Sequence, residues 1–268
     1  MKVKAKVLFL SMLLLILIAL FLVWDLNNNN WDYALPRRIM KLISILLVGS
    51  CIAFSTTVFQ TITNNRILTP SVLGLDSLYM FVQTFVVFAL GSTILVKLGR
   101  DLNFLASVGL MVVFSMVLFK FFFSNGKKSI FSLLLFGVIL GTFFQSLTSF
   151  MQVLMDPNEF LVVQNRMFAS FNNINTDILF AAVLGSLVTL IYTLKYTKDL
   201  DVISLGRDSA INLGVKYTSL IRRMFIVISI LVSISTALVG PITFLGLIVV
   251  NINRQFLSTY KHKYLIPG

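Results

Sequence analysis

The sequence of 268 residues is 57% hydrophobic and only 12% charged. A soluble domain of this size would expose bare apolar surface, so the composition excludes a cytosolic enzyme, a secreted disulfide scaffold and a disordered chain. The net charge is +12, from 22 Lys and Arg and 10 Asp and Glu. In a membrane protein, such an excess of basic residues first of all indicates which loops are cytoplasmic. We therefore expect no nucleic-acid partner.

Seven charge-free runs predict an all-α polytopic membrane protein. They cover 7–24, 42–65, 77–96, 102–119, 129–155, 178–194 and 224–253. A hydrocarbon core about 30 Å thick needs about 20 helical residues, so each of the first six runs predicts one span. No small-residue cleavage site follows the first run, which we interpret as a retained span. Gly240-Pro241 divides the seventh run, because proline breaks a helix, so about eight segments are expected, the last one short.

The basic residues are distributed unequally between alternate loops. If the N-terminus is inside, the inner loops contain sixteen Lys and Arg and four Asp and Glu. The outer loops then contain six basic and six acidic residues. The positive-inside rule therefore predicts a cytoplasmic N-terminus. Residues 156–177 are then a polar outer loop, and residues 195–223 form the largest cytoplasmic segment.

The second and fifth spans are rich in hydroxyl and amide side chains. In the fifth, Thr142, Gln145, Ser149 and Gln152 share one helical face. Two interpretations stay open for this face: hydrogen bonding between helices, with Gly137 and Gly141 allowing close packing, or a water-filled pathway for a polar solute.

The polar residues of the second span do not keep to one stripe. They are Ser50, Ser55, Thr56, Thr57 and Gln60. A helix that is polar on several sides is surrounded by protein, which predicts a central position in the bundle. No acid or base lies in the middle of the first six runs, which argues against a proton-coupled carrier.

Single cysteine and histidine residues exclude a disulfide framework and a Cys/His metal cluster, so no metal site is expected. We interpret Cys51, in an apolar run, as a small buried residue. We interpret His262, between Lys261 and Lys263, as a solvated loop residue.

The cytoplasmic segment contains two Leu-Gly pairs, Leu205-Gly206 and Leu213-Gly214, with Ala210 between them. Glycines at both ends predict a short helix with sharp turns. An ordinary solvated turn and a docking helix for a cytoplasmic partner both fit this pattern.

Three segments resemble the permease subunits of binding-protein-dependent ABC importers for ferric siderophores, haem and cobalamin. Residues 205–215 are similar to the family's coupling helix, which has the pattern Leu-Gly, charged pair, Ala, Leu-Gly. Residues 240–254 are similar to its Gly-Pro-Ile-Gly-Phe-Val-Gly signature. Residues 65–75 are similar to its Asn-Pro-Leu-Ala-x-Pro-x-x-Leu-Gly stretch. The structural residues of these motifs are Pro70, Gly74, Gly240, Pro241 and Gly246.

The departures from these motifs resemble one branch of the family. Thr243, Val250 and Asn251 stand where Gly, Pro and His are commoner, as in the branch that serves petrobactin-like and other catecholate siderophores. The likeness runs from about residue 34 to the C-terminus.

The resemblance implies a single permease domain, 1–268, of a ten-span family, with a coupling segment at 195–218. Since about eight spans are predicted here, we expect the family's C-terminal spans to be absent after 268. The implied function is import of a ferric siderophore across the bacterial cytoplasmic membrane. The chain would be no enzyme and hold no cofactor, because ATP and Mg²⁺ would be bound by a partner; no Gly-x-x-x-x-Gly-Lys-Ser/Thr loop occurs.

The implied partners are cytoplasmic ATPase subunits, a second permease subunit, identical or sister, and a lipid-anchored or periplasmic siderophore-binding protein, in membrane lipid. The expected ATPase-coupling residues are Leu205, Gly206, Arg207, Asp208, Ala210, Leu213, Gly214 and Val215. The expected translocation pathway is lined by Ser55, Thr56, Gln60, Thr142, Gln145, Ser149 and Gln152.

The Leu35-Pro36-Arg37 stretch resembles the family's docking motif for the binding protein. Ala34 occupies a position where a further arginine is frequent, so Arg38 is a substitute candidate. An arginine pair at the membrane interface is the alternative interpretation.

Two other function classes are weighed. One is an ion-driven secondary carrier, which the absence of charges within the spans disfavours. The other is a membrane glycosyltransferase, in which the D-x-D pair Asp199 and Asp201 would hold a divalent metal and a nucleotide sugar.

Overall fold

The computed structural model describes residues 3–24, 31–93, 99–123, 130–172 and 176–266. The helices are α1 (Val3–Val23), α2 (Trp31–Ile62), α3 (Leu75–Leu90), α4 (Gly99–Phe123), α5 (Ile130–Leu154), α6 (Pro157–Met167), α7 (Thr176–Leu194), α8 (Thr197–Ile203), α9 (Arg207–Asn212), α10 (Tyr217–Val239), α11 (Leu245–Leu257) and α12 (His262–Leu265). A 3₁₀ helix, Pro70–Leu73, precedes α3. No strand occurs in the ranges just given.

Each of the first six charge-free runs lies largely in one described helix, and the seventh covers most of α10 and α11. Five helices, α1, α2, α4, α5 and α10, are long and apolar enough to cross a membrane, and α7 with α8 forms a sixth candidate that bends by 64°. Two shorter apolar helices, α3 and α11, complete the eight predicted segments. The chain is therefore an integral membrane protein.

The third charge-free run, 77–96, is described only in part, because residues 94–96 lie outside the described ranges. Its helix has 16 residues and ends at Leu90, because Gly91 adopts φ +79°, a left-handed conformation that favours glycine. At 1.5 Å per residue α3 is about 24 Å long, less than a full hydrocarbon core.

Helices α2 and α10 form the centre of the bundle. Helix α10 packs against α2, α4 and α7, and Ile221, Ile228 and Leu231 on it are fully buried. Every residue of α2 from Phe54 to Ile62 is buried, which confirms the central position predicted from its polar composition. The hydroxyls on α2 are satisfied locally: Thr57 donates to the carbonyl of Ala53 at 2.8 Å.

Helix α1 lies at the periphery and buries none of its residues. Near its N-terminal end, Lys6 Nζ donates to the carbonyl oxygen of Phe256 on α11 at 2.6 Å.

A turn of backbone packs directly on α5. A Cβ added at Gly74 would lie 3.0 Å from the carbonyl oxygen of Gly137 and from Cα of Gly141, and one added at Gly137 would lie 2.9 Å from Cα of Leu73. This contact agrees with one of the two interpretations left open for α5, close packing at Gly137 and Gly141. Their nearest partner is the 3₁₀ turn ending at Gly74, and a Cβ at Gly141 would also lie 3.6 Å from Oγ of Ser77 on α3.

The predicted Gly-Pro break separates α10 from α11. Gly240 adopts φ +106°, and a Cβ there would lie 3.3 Å from Cα of Ala169. The nearby amide of Ser170 donates to the carbonyl of Val239 at 2.9 Å. Farther along, Gly246 lies against Thr56 of α2, where no room for a side chain exists. Gly240 is thus required by its φ and by the backbone that approaches it, and Gly246 by the side chains of Thr56 and Ile52 that pack against it.

Candidate coupling and translocation sites

Helix α9 is the short helix bounded by glycines that the two Leu-Gly pairs predict. Gly206 and Gly214 have φ +101° and +84°, and a Cβ at either would meet open space. These glycines therefore serve the backbone turns and not packing.

The surface of α9 has one anchor and two projecting leucines. Ala210 is fully buried, whereas Leu205 and Leu213 are each 63% exposed. The amide of Val215 donates to the carbonyl of Ala210 at 3.0 Å and closes the turn after the helix. Arg207 and Asp208 are exposed.

A notch of about 320 Å³ lies beside α9. It is lined by Tyr196, Asp199, Leu213, Gly214, Val215, Lys216, Ser219, Leu220 and Arg223. The guanidinium of Arg223 donates to the hydroxyl oxygen of Tyr196 at 2.6 Å and fixes one wall of the notch.

The sequence interpretation of His262 as a solvated residue is wrong. Its side chain is 1% exposed. Its Nδ1 lies 2.6 Å from Oδ1 of Asp201, its amide donates to the same oxygen at 2.8 Å, and its Nε2 lies 2.8 Å from Oγ1 of Thr61. The pair is separated by 61 residues in the chain, and no local pattern marks it.

The chemistry of this network fixes the tautomer of the ring. A carboxylate only accepts, so Nδ1 carries a proton and donates it to Asp201. Burial lowers the pKa of His262, although the hydrogen bond and charge of Asp201 oppose the shift and the charge of Arg254 adds to it. Nε2 lies within hydrogen-bond distance of the hydroxyl oxygen of Thr61, which also lies 2.9 Å from the carbonyl oxygen of Thr57. The network joins α8, α12 and the end of α2.

The carboxylate of Asp201 is thus bonded to His262, whereas Asp199 lines the notch beside α9. The two acids of the D-x-D sequence have separate surroundings, which does not support a shared metal site.

The two candidate docking arginines have different environments. Arg37 is exposed, and its guanidinium lies 4.0 Å from the centre of the Tyr33 ring. Arg38 donates from Nη1 to the carbonyl oxygens of Phe21 and Leu22 at 3.4 Å and to that of Trp24. Arg38 therefore caps the C-terminal end of α1, where a cation is favoured by the helix dipole.

The predicted pathway residues fall into two separate groups. Ser55, Thr56 and Gln60 are at most 2% exposed, and Gln60 Nε2 donates to the carbonyl of Arg66 at 2.8 Å. Ser55 and Thr56 line a cavity of only about 20 Å³ between α2, α10 and the 3₁₀ turn. The α2 group is therefore part of the packed interior.

The α5 group lies on the surface of the bundle. Thr142, Gln145 and Ser149 are exposed, and Gln152, which contacts Sδ of Met167 at 3.4 Å, is half-buried. We call these four residues the α5 polar stripe. An exposed amide in a membrane helix is unfavourable against lipid, so the stripe indicates water or another protein chain at this face.

The segment 156–177, predicted as a polar outer loop, contains helix α6. Arg166 near its end donates to Oε1 of Gln83 on α3 at 2.9 Å, and Gln83 in turn bonds Asn103 and Ser107 of α4. The run 77–96 contains Gln83, but nothing in the sequence pairs it with Arg166.

A second buried polar contact was also missed. Oδ1 of Asp76 accepts from the hydroxyl of Thr236 on α10 at 3.2 Å. Both residues line the small cavity beside the 3₁₀ turn.

A family comparison decides the ancestry of the chain. The FecCD transport family matches residues 5–268. This chain belongs to the FecCD transport family. The family resemblance inferred from the three motifs is thereby confirmed.

Individual FecCD relatives agree. The petrobactin import system permease protein YclO of Bacillus subtilis is 57% identical over 268 residues, which are 100% of this chain and 84% of that protein. FatC, the petrobactin import system permease protein of Bacillus anthracis, is 35% identical over 242 residues, 90% of this chain and 68% of that one.

A solved structure has the same fold as this chain. An inward-facing metal-chelate type ABC transporter matches with a TM-score of 0.85 and 23% identity, covering 99% of this chain and 85% of that chain.

Proposed function

We propose that this FecCD chain is the transmembrane permease subunit of an ABC importer whose cargo is a ferric siderophore of the petrobactin type. The observation that carries the proposal is the 57% identity to a petrobactin import permease along the whole chain. The chain lies in the bacterial cytoplasmic membrane with its N-terminus in the cytoplasm. The excess of basic residues in the loops on that side supports this orientation.

The energy comes from ATP bound and hydrolysed on two cytoplasmic ATPase subunits, one of which docks on α9 of this chain. The exposed Leu205 and Leu213 supply apolar contacts, and buried Ala210 holds the helix to the bundle. The turns at Gly206 and Gly214 fix the angle at which α9 is presented. The hydrogen bonds of Asp201 to His262 tie the preceding helix α8 to α12, so that a push on α9 reaches the membrane helices.

The α5 polar stripe lines the translocation pathway against a second permease subunit, identical or sister. Hydroxyl and amide groups on an exposed face suit a polar chelate and its water shell. We assign Ser55, Thr56 and Gln60 to the packing of α2, because they are buried within this subunit.

Arg37 docks the external siderophore-binding protein. It is exposed at the end of the bundle opposite α9, and a guanidinium pairs well with a carboxylate of a partner. Arg38 instead holds α1 in place through the carbonyls it contacts.

The test is ATP-dependent uptake of radioactive iron bound to petrobactin, in cells that lack other siderophore permeases and express this chain with its ATPase, partner permease and binding protein. Gly214→Trp is expected to abolish uptake, whereas Lys198→Trp, at an exposed site on α8, is expected to retain it. Uptake that continues without ATP but stops when the ion gradient collapses would instead establish a secondary carrier. Nucleotide-sugar turnover by the chain alone would establish the enzyme.

A further inference from the structure

A basic cavity lies at the end of the bundle where α1 begins and α11 ends. It has a volume of about 420 Å³. It is lined by Arg66, Asn251, Arg254, Gln255, Ser258, Thr259 and Tyr260. Two cations, two amides and three hydroxyls thus face one space, and no Asp or Glu is among these lining residues.

The guanidinium of Arg254 is incompletely bonded. Its Nε and Nη2 are out of contact with solvent and have no hydrogen-bond partner in the described chain. Buried N–H donors of a charged group are costly without an acceptor, because desolvation is not compensated. The arrangement therefore requires an acceptor that is not one of the described side chains.

The second cation of the cavity makes the requirement stronger. The charges of Arg66 and Arg254 repel each other. Arg66 is exposed, lies 5.7 Å from the ring centre of Tyr260, and its backbone is fixed through its carbonyl, which accepts from Asn251 at 3.3 Å. An anion between the two guanidinium groups relieves the repulsion and accepts from both.

The hydroxyl of Ser258, at the rim of the cavity, is fixed by a hydrogen bond to the backbone. Ser258 caps α11 with φ +51°, an unusual conformation for a residue other than glycine, and its Oγ donates to the carbonyl of Gln255 at 3.0 Å. This bond uses the only hydroxyl hydrogen of Ser258, so its oxygen has no donor left for an anion, whereas the side-chain amide nitrogen of Gln255 supplies one.

We propose that this cavity binds a phosphate oxyanion through Arg254 and Arg66. Phosphate matches the planar donor fork of arginine, and a headgroup phosphate or a free phosphate has the required size and charge. The location beside the N-terminal end of α1, near Lys6, places the site at a membrane interface, where anionic phospholipid headgroups lie. The proposal concerns a site separate from the α5 polar stripe and from α9, so it does not depend on the transport assignment.

The experiment uses the purified full chain and compares two phosphate sources. In native mass spectrometry, delipidated protein is titrated with phosphatidylglycerol and, in parallel, with phosphatidylcholine. In a second arm, inorganic phosphate is added at constant ionic strength and the apparent melting temperature is measured.

For a lipid site, we expect one phosphatidylglycerol per chain, retained at least about tenfold more tightly than phosphatidylcholine, and a loss of that preference in Arg254→Gln. For a soluble phosphate site, inorganic phosphate raises the melting temperature of the native chain and not of Arg254→Gln. The control is Arg222→Gln, an exposed arginine of α10 outside the cavity, which is expected to behave like the native chain in both arms.

The proposal is overturned if native chain and Arg254→Gln respond alike in both arms, or if Arg222→Gln weakens binding as much as Arg254→Gln does. Should Arg254→Gln fail to fold, Arg66→Gln carries the same test. The Arg66 side chain is exposed, and only its backbone carbonyl holds neighbouring residues.

Discussion

Replacement of Gly74 by alanine is expected to destabilise the protein by about 1 to 5 kcal/mol, from two separate effects. Gly74 has φ +78°, and an L-residue in that region costs about 1 to 2 kcal/mol. The new Cβ would also lie 3.0 Å from backbone atoms of Gly137 and Gly141. Overpacking against backbone atoms that cannot rotate away costs about 1 to 3 kcal/mol. Alanine also lowers the conformational entropy of the unfolded chain, which offsets the loss of stability by about 0.4 to 1 kcal/mol.

Three matched glycines separate these effects. Gly214 has φ +84° in open space, so Gly214→Ala tests the backbone effect alone. Gly137 lies within α5, and its Cβ would lie 2.9 Å from Cα of Leu73, so Gly137→Ala tests the contact alone, partly offset by better helix propensity. Gly49 lies within α2 with nothing within 4 Å, and Gly49→Ala is expected to be neutral or slightly stabilising.

The measurement is the free energy of unfolding of the purified variants in mixed micelles titrated with denaturing detergent, with the apparent melting temperature as a second readout. We expect Gly74→Ala to lose the most stability and Gly49→Ala none. If Gly74→Ala and Gly214→Ala lose equal amounts, the close approach of the 3₁₀ turn to α5 contributes nothing and the packing argument is refuted.

Three further predictions concern His262, Leu213 and the candidate docking arginines. Because burial lowers the pKa of His262 below its ordinary 6.5, the unfolded chain binds the proton first as the pH falls. Stability should therefore decline below about pH 6.5, and this decline should be smaller in His262→Gln, as pH-dependent melting curves will show. Leu213→Asp should weaken ATPase binding at least about tenfold. The melting temperature should not change, because the exposed side chain supports no packing. Pull-down of the ATPase measures the binding, and a lower melting temperature would contradict the prediction. Arg37→Glu should reduce capture of the binding protein, measured by surface plasmon resonance, whereas Arg38→Gln should lower stability instead; equal loss of capture in both would show that the two arginines act alike.

The membrane helices were predictable because each leaves a direct trace in the composition. Charge-free runs locate spans, and glycine next to proline locates the end of α10 at Val239. The third run does not locate the end of α3, because the charge-free run continues to residue 96 whereas the backbone turns at Gly91. Hydropathy indicates that a segment can lie in apolar surroundings, but it does not locate the residue at which the backbone hydrogen bonds of the helix end.

The features that sequence reasoning missed all depend on contacts between distant segments. His262 was expected in solvent because lysines flank it, yet its partner Asp201 lies 61 residues away. Arg166 was assigned to an outer loop, although it bonds Gln83 of α3. Amphipathic periodicity placed the α5 polar stripe on one face, but only the packing of the bundle shows that this face is exposed while the polar groups of α2 are enclosed.

The peripheral position of α1 has a consequence for how freely its sequence can vary. The helix buries no residue and is attached at one end through Lys6 and at the other through the carbonyls that Arg38 contacts. Any apolar helix of the same length satisfies the membrane in between. A complete substitution scan should therefore find a tolerant central band in α1, in which leucine, isoleucine, valine and phenylalanine exchange freely. Change is selected against at Lys6, whereas at the other end the bonded groups of α1 are backbone carbonyls and the sensitive residue is Arg38 of α2.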